Sequence, residues 1–173
     1  FPMSRPNNMG PRKWVELWRG RSDTAEDLLP GLGALIDSDL SATIAARKAA
    51  PTLPRGTIHA DLFPDNAFFL GQNFSGAIDF YFACSDALAY DLAIALNAWC
   101  FEPETDTKVA YNYTKGSQMI AGYQSVRKLT EPERATLPVL ARGAALRFFL
   151  TRLVDWVDTP KDALVKPKNP LEY

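Results

Sequence analysis

The chain has 173 residues, 47% of them hydrophobic and 23% charged, with a formal net charge of −1. That is enough chain for one domain with a real core, and the composition is that of an ordinary globular protein. The charge argues against a phosphate-binding nucleic-acid surface, which needs a clear basic excess, and a single histidine with two cysteines outside any CxxC pair argues against a His-rich or Cys-rich metal centre.

Cys84 and Cys100 are read as buried thiols in a reducing, cytoplasmic compartment, with a disulfide as the alternative. The first ten residues, FPMSRPNNMG, contain no apolar run of the kind a secretory signal carries. Residues 137–157 are the most hydrophobic stretch, yet they include Arg142, Arg147, Arg152 and Asp155. Spanning a bilayer with those charges would be costly, so a buried helix is expected there.

In chain order, residues 1–12 have loop composition: three prolines, Ser4, Gly10 and the pair Asn7-Asn8. Residues 13–19 suit a short helix with Trp14, Leu17 and Trp18 on one side. Asp23 or Thr24 could cap a second helix, interrupted by Pro30 and Gly31. Residues 33–49 are alanine-rich and predicted helical, with Leu35, Ile36, Leu40 and Ile44 as apolar positions. APTLPRG breaks that helix, and Thr57-Ile58-His59 is short and extended. AFFL at 67–70 predicts a strand, GQNFSG a turn, and residues 77–81 (AIDFY) the returning strand of a β-hairpin.

The remainder is predicted helical. Residues 86–100 carry Leu88, Leu92, Leu96 and Trp99 along one stripe. Residues 107–126 repeat the pattern with Val109, Tyr113, Ile120 and Tyr123. TEPE at 130–133 reads as a capping box, with Thr130 as N-cap, Glu133 three residues on and Pro132 in the first turn. Pro138 is expected to divide a short helix from a long one, and the proline-rich tail to hold one helical turn. The expected fold is mainly α with one small β-hairpin, in a single domain over residues 1–173.

The hairpin follows IHADLFPDN, residues 58–66. Asp61 and Asn66 form D-x-x-x-x-N, and Asp79 lies thirteen residues beyond Asn66, so a hairpin returns it toward the loop. Phosphoryl transfer needs such a set. One carboxylate orients the attacking hydroxyl and takes its proton, while an amide oxygen and a second carboxylate hold Mg²⁺ on the nucleotide phosphates. Mg²⁺ keeps several waters, so few hard oxygen ligands suffice. The protein-kinase loop has the form H-R-D-x-x-x-x-N, followed by D-F-G. Here the loop is His59-Ala60-Asp61 through Asn66, and the later element is Ile78-Asp79-Phe80. His59 is read as support beneath the loop rather than as catalyst, and Asp65 as a solvated turn residue. Asp91, among the apolar residues of its helix, is either partly exposed or a brace that accepts hydrogen bonds from the loop backbone.

IHADLFPDN, AIDF and ALAYDLA together resemble the aminoglycoside-phosphotransferase-like small-molecule kinases, relatives of the protein kinases, whose loop typically reads H-G-D-x-x-x-x-N; Ala60 stands where that family has Gly. Within that clan, SRPN, IDFYFACSDALAYDLAIALNAWCFE and ALRFFLTRLVDW look like the bacterial homoserine kinases, and the similarity runs over nearly the whole chain. The resemblance implies the C-terminal lobe of a protein-kinase-like fold and transfer of phosphate from ATP to L-homoserine, a step toward threonine. Asp61 would be the base, Asn66 and Asp79 the Mg²⁺ ligands, and His59 and Asp91 supports of the loop.

One departure is large. No Gly-rich loop precedes residue 59, and the only lysines there, Lys13 and Lys48, lie on no predicted strand. The chain also starts at Phe1 without an initiator methionine. A fragment is therefore expected, lacking the N-terminal nucleotide-binding lobe of the same protein and nearly inactive alone. An amino-acid substrate offers a carboxylate and an ammonium, for which Arg and Asp are natural partners. Arg147, Arg152 and Asp155 are the candidates, with Tyr81 and Trp99 as pocket walls; structural ion pairing is the alternative for each arginine. Other readings are a clan member acting on choline, a sugar or an aminoglycoside, a non-catalytic helical binding module, and, more weakly, a metal-dependent hydrolase.

Overall fold

The computed structural model describes residues 4–105, 108–160, 162–164 and 166–172. Six helices and six short strands occur among them: α1 (Pro11–Trp18), α2 (Ser22–Leu28), α3 (Leu32–Ala49), β1 (Arg55–Ile58), β2 (Ala67–Leu70), β3 (Asn73–Ala77), β4 (Cys84–Ala87), α4 (Leu88–Cys100), β5 (Phe101–Thr105), β6 (Lys108–Tyr111), α5 (Tyr113–Val126) and α6 (Glu131–Asp158). They divide into two compact units. One comprises residues 1–7 and 51–141, the other residues 8–50 and 142–173.

In the first unit the strands form three antiparallel pairs: β1 with β4, β2 with β3, and β5 with β6. The β2–β3 hairpin is where the sequence places it, but its second strand ends at Ala77, opposite Ala67. Asp79 thus lies beyond the ladder, not on a strand. Helix α4 starts later than expected because residues 84–87 are pulled into β4, with Cys84 opposite Ile58 and Ala87 opposite Arg55. The predicted single stripe on α4 proves too narrow: Ala89, Tyr90, Leu92, Ala93, Ile94, Ala95, Leu96 and Cys100 are all buried. The expected helix over 107–126 is shorter as well. Of its N-terminal part, residue 107 lies outside the described residues and Lys108–Tyr111 pair with β5. The Asn112 side chain then caps α5 by accepting from the Lys115 N–H at 3.0 Å.

The second unit is held by an apolar cluster. Trp14 and Trp18 of α1 pack with Leu32, Ile36 and Leu40 of α3 and Leu146, Phe149, Leu150 and Leu153 of α6. Both indoles are satisfied, Trp14 by the Met9 carbonyl at 2.8 Å and Trp18 by the Asp37 carboxylate at 2.6 Å. Leu35, one of the apolar positions of the 33–49 stretch, is 60% exposed. Neither Asp23 nor Thr24 caps α2, since both lie inside it and its N-cap is Arg21. The tail has one 3₁₀ turn, Pro170–Glu172. Among the described residues no helix is long and apolar enough to cross a membrane, and Cys84 and Cys100 are buried thiols with no disulfide.

Pro138 does not divide a helix; it lies inside α6. The capping box is present. The Glu133 carboxylate accepts from the Thr130 N–H at 2.9 Å and its hydroxyl at 3.0 Å, and the Thr130 hydroxyl accepts from the Glu133 N–H at 3.4 Å. Glu133 is fully buried and pairs with Arg127 at 2.7 Å. Burial pushes its carboxyl upward, but the Thr130 backbone, Arg127 and the Thr130 hydroxyl together outweigh it and hold the group below its ordinary 4.5. A depressed carboxylate contributes stability that is present above the unfolded-state pKa and lost as pH falls through the folded one. Thermal unfolding followed from pH 7 down to pH ~3 should therefore lose stability below about 4.5, and Glu133→Gln should flatten that part of the profile.

Candidate active site

The site is built on the loop between β1 and β2. His59 and Ala60 are buried at the end of β1, and Ala60 takes a left-handed conformation, φ 63°. Such a φ costs an L-residue roughly 1–2 kcal/mol, which explains why glycine suits this position. The conformation accompanies two adjacent N–H groups on one carboxylate. Asp91, in the first turn of α4, accepts from the His59 N–H at 2.9 Å and from the Ala60 N–H at 2.7 Å.

Asp61 follows, half-buried. Its carbonyl accepts from the Phe63 N–H at 2.9 Å and from the Asn66 amide Nδ2 at 2.9 Å. The same Nδ2 lies 3.4 Å from Asp61 Oδ2. The amide nitrogen of Asn66 is thereby held by the loop, leaving its oxygen on the opposite side as an acceptor. Pro64–Asn66 form a 3₁₀ turn, which leads into β2.

The hairpin joins the second carboxylate to this loop. Beyond the Ala67–Ala77 pair, the Ile78 N–H donates to the Asn66 carbonyl at 3.0 Å. The Ile78 carbonyl accepts from His59 Nε2 at 2.9 Å. A carbonyl can only accept, so Nε2 carries the proton. His59 also packs against Phe80, ring centroids 4.6 Å apart. Asp79 comes next in a left-handed conformation, φ 61°, that aspartate tolerates better than most residues, and it caps a 3₁₀ turn by accepting from the Tyr81 N–H.

Tyr81 is 71% exposed. Arg5, which sequence reasoning passed over, donates to its carbonyl at 2.7 Å and lies 5.8 Å from its ring centroid. Pro6 bridges to Ser85, and Asn7 donates to the buried Asp86 at 2.7 Å. Nothing local in SRPN signals contacts to residues more than seventy positions away. Trp99 donates from Nε1 to the Leu62 carbonyl at 2.9 Å, behind the loop.

Arg147, Arg152 and Asp155 belong to the second unit, whereas Asp61, Asn66, Asp79, Tyr81 and Asp91 belong to the first. Arg147 is buried and stacks on Phe148, 4.5 Å from the ring centroid. Arg152 donates to the Asn169 carbonyl at 3.3 Å. Asp155 is exposed; desolvation and then the Asp158 charge hold its carboxyl above the ordinary range. Arg142 makes a structural ion pair with Asp39 at 3.5 Å.

The model of the phosphotransferase enzyme family matches residues 1–129. The chain belongs to this family. Similar proteins include a homoserine kinase of Hyphomonas neptunium, 60% identical over all of this chain and 54% of that protein. Homoserine kinases of Chelativorans sp. and Xanthobacter autotrophicus are 55% and 56% identical, again over all of this chain and 52% of each relative. The chain thus spans about half the length of the curated relatives it matches. Its mainly helical architecture with small antiparallel sheets is that of the kinase-like C-terminal lobe.

Proposed function

We propose that the whole protein transfers the γ-phosphoryl group of ATP to the side-chain hydroxyl of L-homoserine, giving O-phospho-L-homoserine and ADP. The observation that carries this reading is the tie between loop and hairpin. A backbone bond from Ile78 to Asn66 ties the segment just before Asp79 to the loop that holds Asp61 and Asn66, which supports reading the three as one set. Homoserine kinases more than half identical over the full chain favour this acceptor over choline, a sugar or an aminoglycoside.

In the reaction the homoserine oxygen bonds to the γ-phosphorus, the bond to the β–γ bridging oxygen breaks, and the hydroxyl proton passes to the Asp61 carboxylate. The Asn66 oxygen and the Asp79 carboxylate are hard donors that fit Mg²⁺. Mg²⁺ bound there would neutralise charge on the phosphates. Among the described residues no group of three His, Cys, Asp or Glu gathers as a metal site, and a cation carried in on a nucleotide needs none. The remaining part of the whole protein supplies the nucleotide-covering lobe, for which residues 1–173 contain no Gly-rich loop before His59.

The test is ADP release by the full-length protein, offered homoserine, serine, choline and an aminoglycoside separately. Turnover with homoserine at the highest kcat/KM is expected; no turnover with any of them overturns the reading. Asp79→Asn keeps a residue that accepts the left-handed turn but removes the charge. It should raise the Mg²⁺ concentration needed for half-maximal rate and lower kcat by about 100-fold, in the range of a lost charge-stabilising group, with little change in Tm.

A further inference from the structure

We infer that the groove between the β2–β3 hairpin, α4 and α5 is the seat of an apolar segment from the part of the protein that lies outside these 173 residues. The inference rests on the reading above that the whole protein carries a further lobe.

Three observations support it. First, β2 reads AFFL, a continuous apolar run of the kind found in buried strands, yet Phe69, which lines the groove, is 49% exposed. Ala67 and Phe69 line the groove, and the ladder shifts register between Phe68 and Phe69. A two-stranded hairpin in water is marginal without cover, and this one carries the turn that positions Asp79.

Second, the groove has a volume of about 490 Å³, and its lining includes Leu62, Phe69, Phe74, Trp99, Met119 and Tyr123, together with Asp91. Phe69 already packs edge-on against Phe74 and Trp99, centroids 5.7 and 6.3 Å away, while Phe74 stays 60% exposed. The polar groups facing it are engaged elsewhere. Asp91 accepts from His59 and Ala60, the Trp99 N–H donates to Leu62, and the Tyr123 hydroxyl accepts from Arg127 at 3.0 Å. A nucleotide phosphate would meet only the like-charged Asp91 carboxylate there, whereas apolar side chains would meet the aromatic and aliphatic walls.

Third, the chain covers 54%, 52% and 52% of three relatives that it matches from end to end, so each has nearly as much chain again outside the match. That length is enough to supply an occupant. Seated there, it would press on Leu62 and Trp99 directly behind Asp61, linking the remaining lobe to the phosphotransfer loop.

The test uses full-length protein carrying Phe74→Cys, with Met119→Cys as a second variant, and follows maleimide labelling peptide by peptide. Cys84 and Cys100 are buried, and reading peptide by peptide separates the introduced thiol from every other. If the groove is filled from the same chain, labelling is slower than in the unfolded protein by about tenfold or more, as for sites reached only through local opening. That protection should be independent of ATP, of homoserine and of protein concentration. Rapid labelling without ligand overturns the proposal, as does protection that appears only with ATP or homoserine, which makes the groove a ligand site. Protection lost on dilution overturns it in favour of a second copy. Labelling does not depend on turnover, so a protein with a protected groove that fails to phosphorylate homoserine would sink the functional reading and leave this one standing.

Discussion

Asp61→Asn in the full-length protein should lower kcat for homoserine phosphorylation by about 10²–10⁴-fold, the range of a lost general base. Tm should remain that of the parent. The two side chains have nearly the same shape, and the asparagine oxygen can still accept from Asn66 Nδ2, which now lies 3.4 Å from Asp61 Oδ2. The main tie to the loop is to the Asp61 carbonyl, which the substitution leaves alone. What the amide cannot do is take a proton from the attacking hydroxyl. Nucleotide affinity, measured by fluorescence or calorimetry, should stay at the parent value, because Asp61 faces the acceptor hydroxyl in this mechanism and not the phosphates. Asp65→Asn, an exposed residue outside the machinery, is the matched control and should keep parental kcat. If Asp61→Asn retained more than a tenth of the parental rate, Asp61 would not be the base.

Much of this arrangement could be read from the chain because it is local. Asp61 and Asn66 lie in one loop, and AFFL before GQNFSG is a hairpin signal whose partner is a few residues away. Where the two readings part, distant residues decide. Residues 84–87 became β4 because they pair with Arg55–Ile58, about thirty positions back; helical periodicity downstream had claimed Asp86 and Ala87. Asn112 is a capping residue that a search for apolar spacing over 107–126 passed by. A returning strand over residues 77–81 takes in Asp79, yet aspartate in a left-handed turn with its side chain on the Tyr81 N–H is turn chemistry, and I-D-F carries that signal too. The arginines of α6 are candidates by charge and by their place on one long helix. Charge type names a class of residue and not a place, and Arg5, inside the SRPN stretch but marked there by no contact signal, lies beside Tyr81.

Asp91→Ala should be the most destabilising single change at the site. The His59 and Ala60 N–H groups both end on this one carboxylate, and both residues are buried. Each buried donor left without an acceptor costs about 1–3 kcal/mol, so a loss of about 2–6 kcal/mol is expected before water enters the gap, against a total of about 5–15 kcal/mol for a typical domain. A carboxylate in the first turn of α4 also contributes through the helix dipole, but only about 0.3–1 kcal/mol at an exposed site. The bland alternative, a helical residue with no further duty, therefore predicts a change no larger than that. Asp91→Asn separates the two contributions. Its oxygen can serve one N–H, while its amide nitrogen turns a donor toward the other, so it should lose more than the dipole contribution yet less than alanine does. The effect should also be spatially specific. Ala60 stays at φ 63° only while something offsets the strain, so amide exchange at residues 59–61 should accelerate in both variants. The capped start of α6, held by Thr130 and Glu133, should keep its parental exchange rate. If kcat falls in step with that local exchange while Tm in Asp91→Asn falls little, Asp91 acts on catalysis through the position of the loop; if exchange rises everywhere alike, its role is in the fold alone.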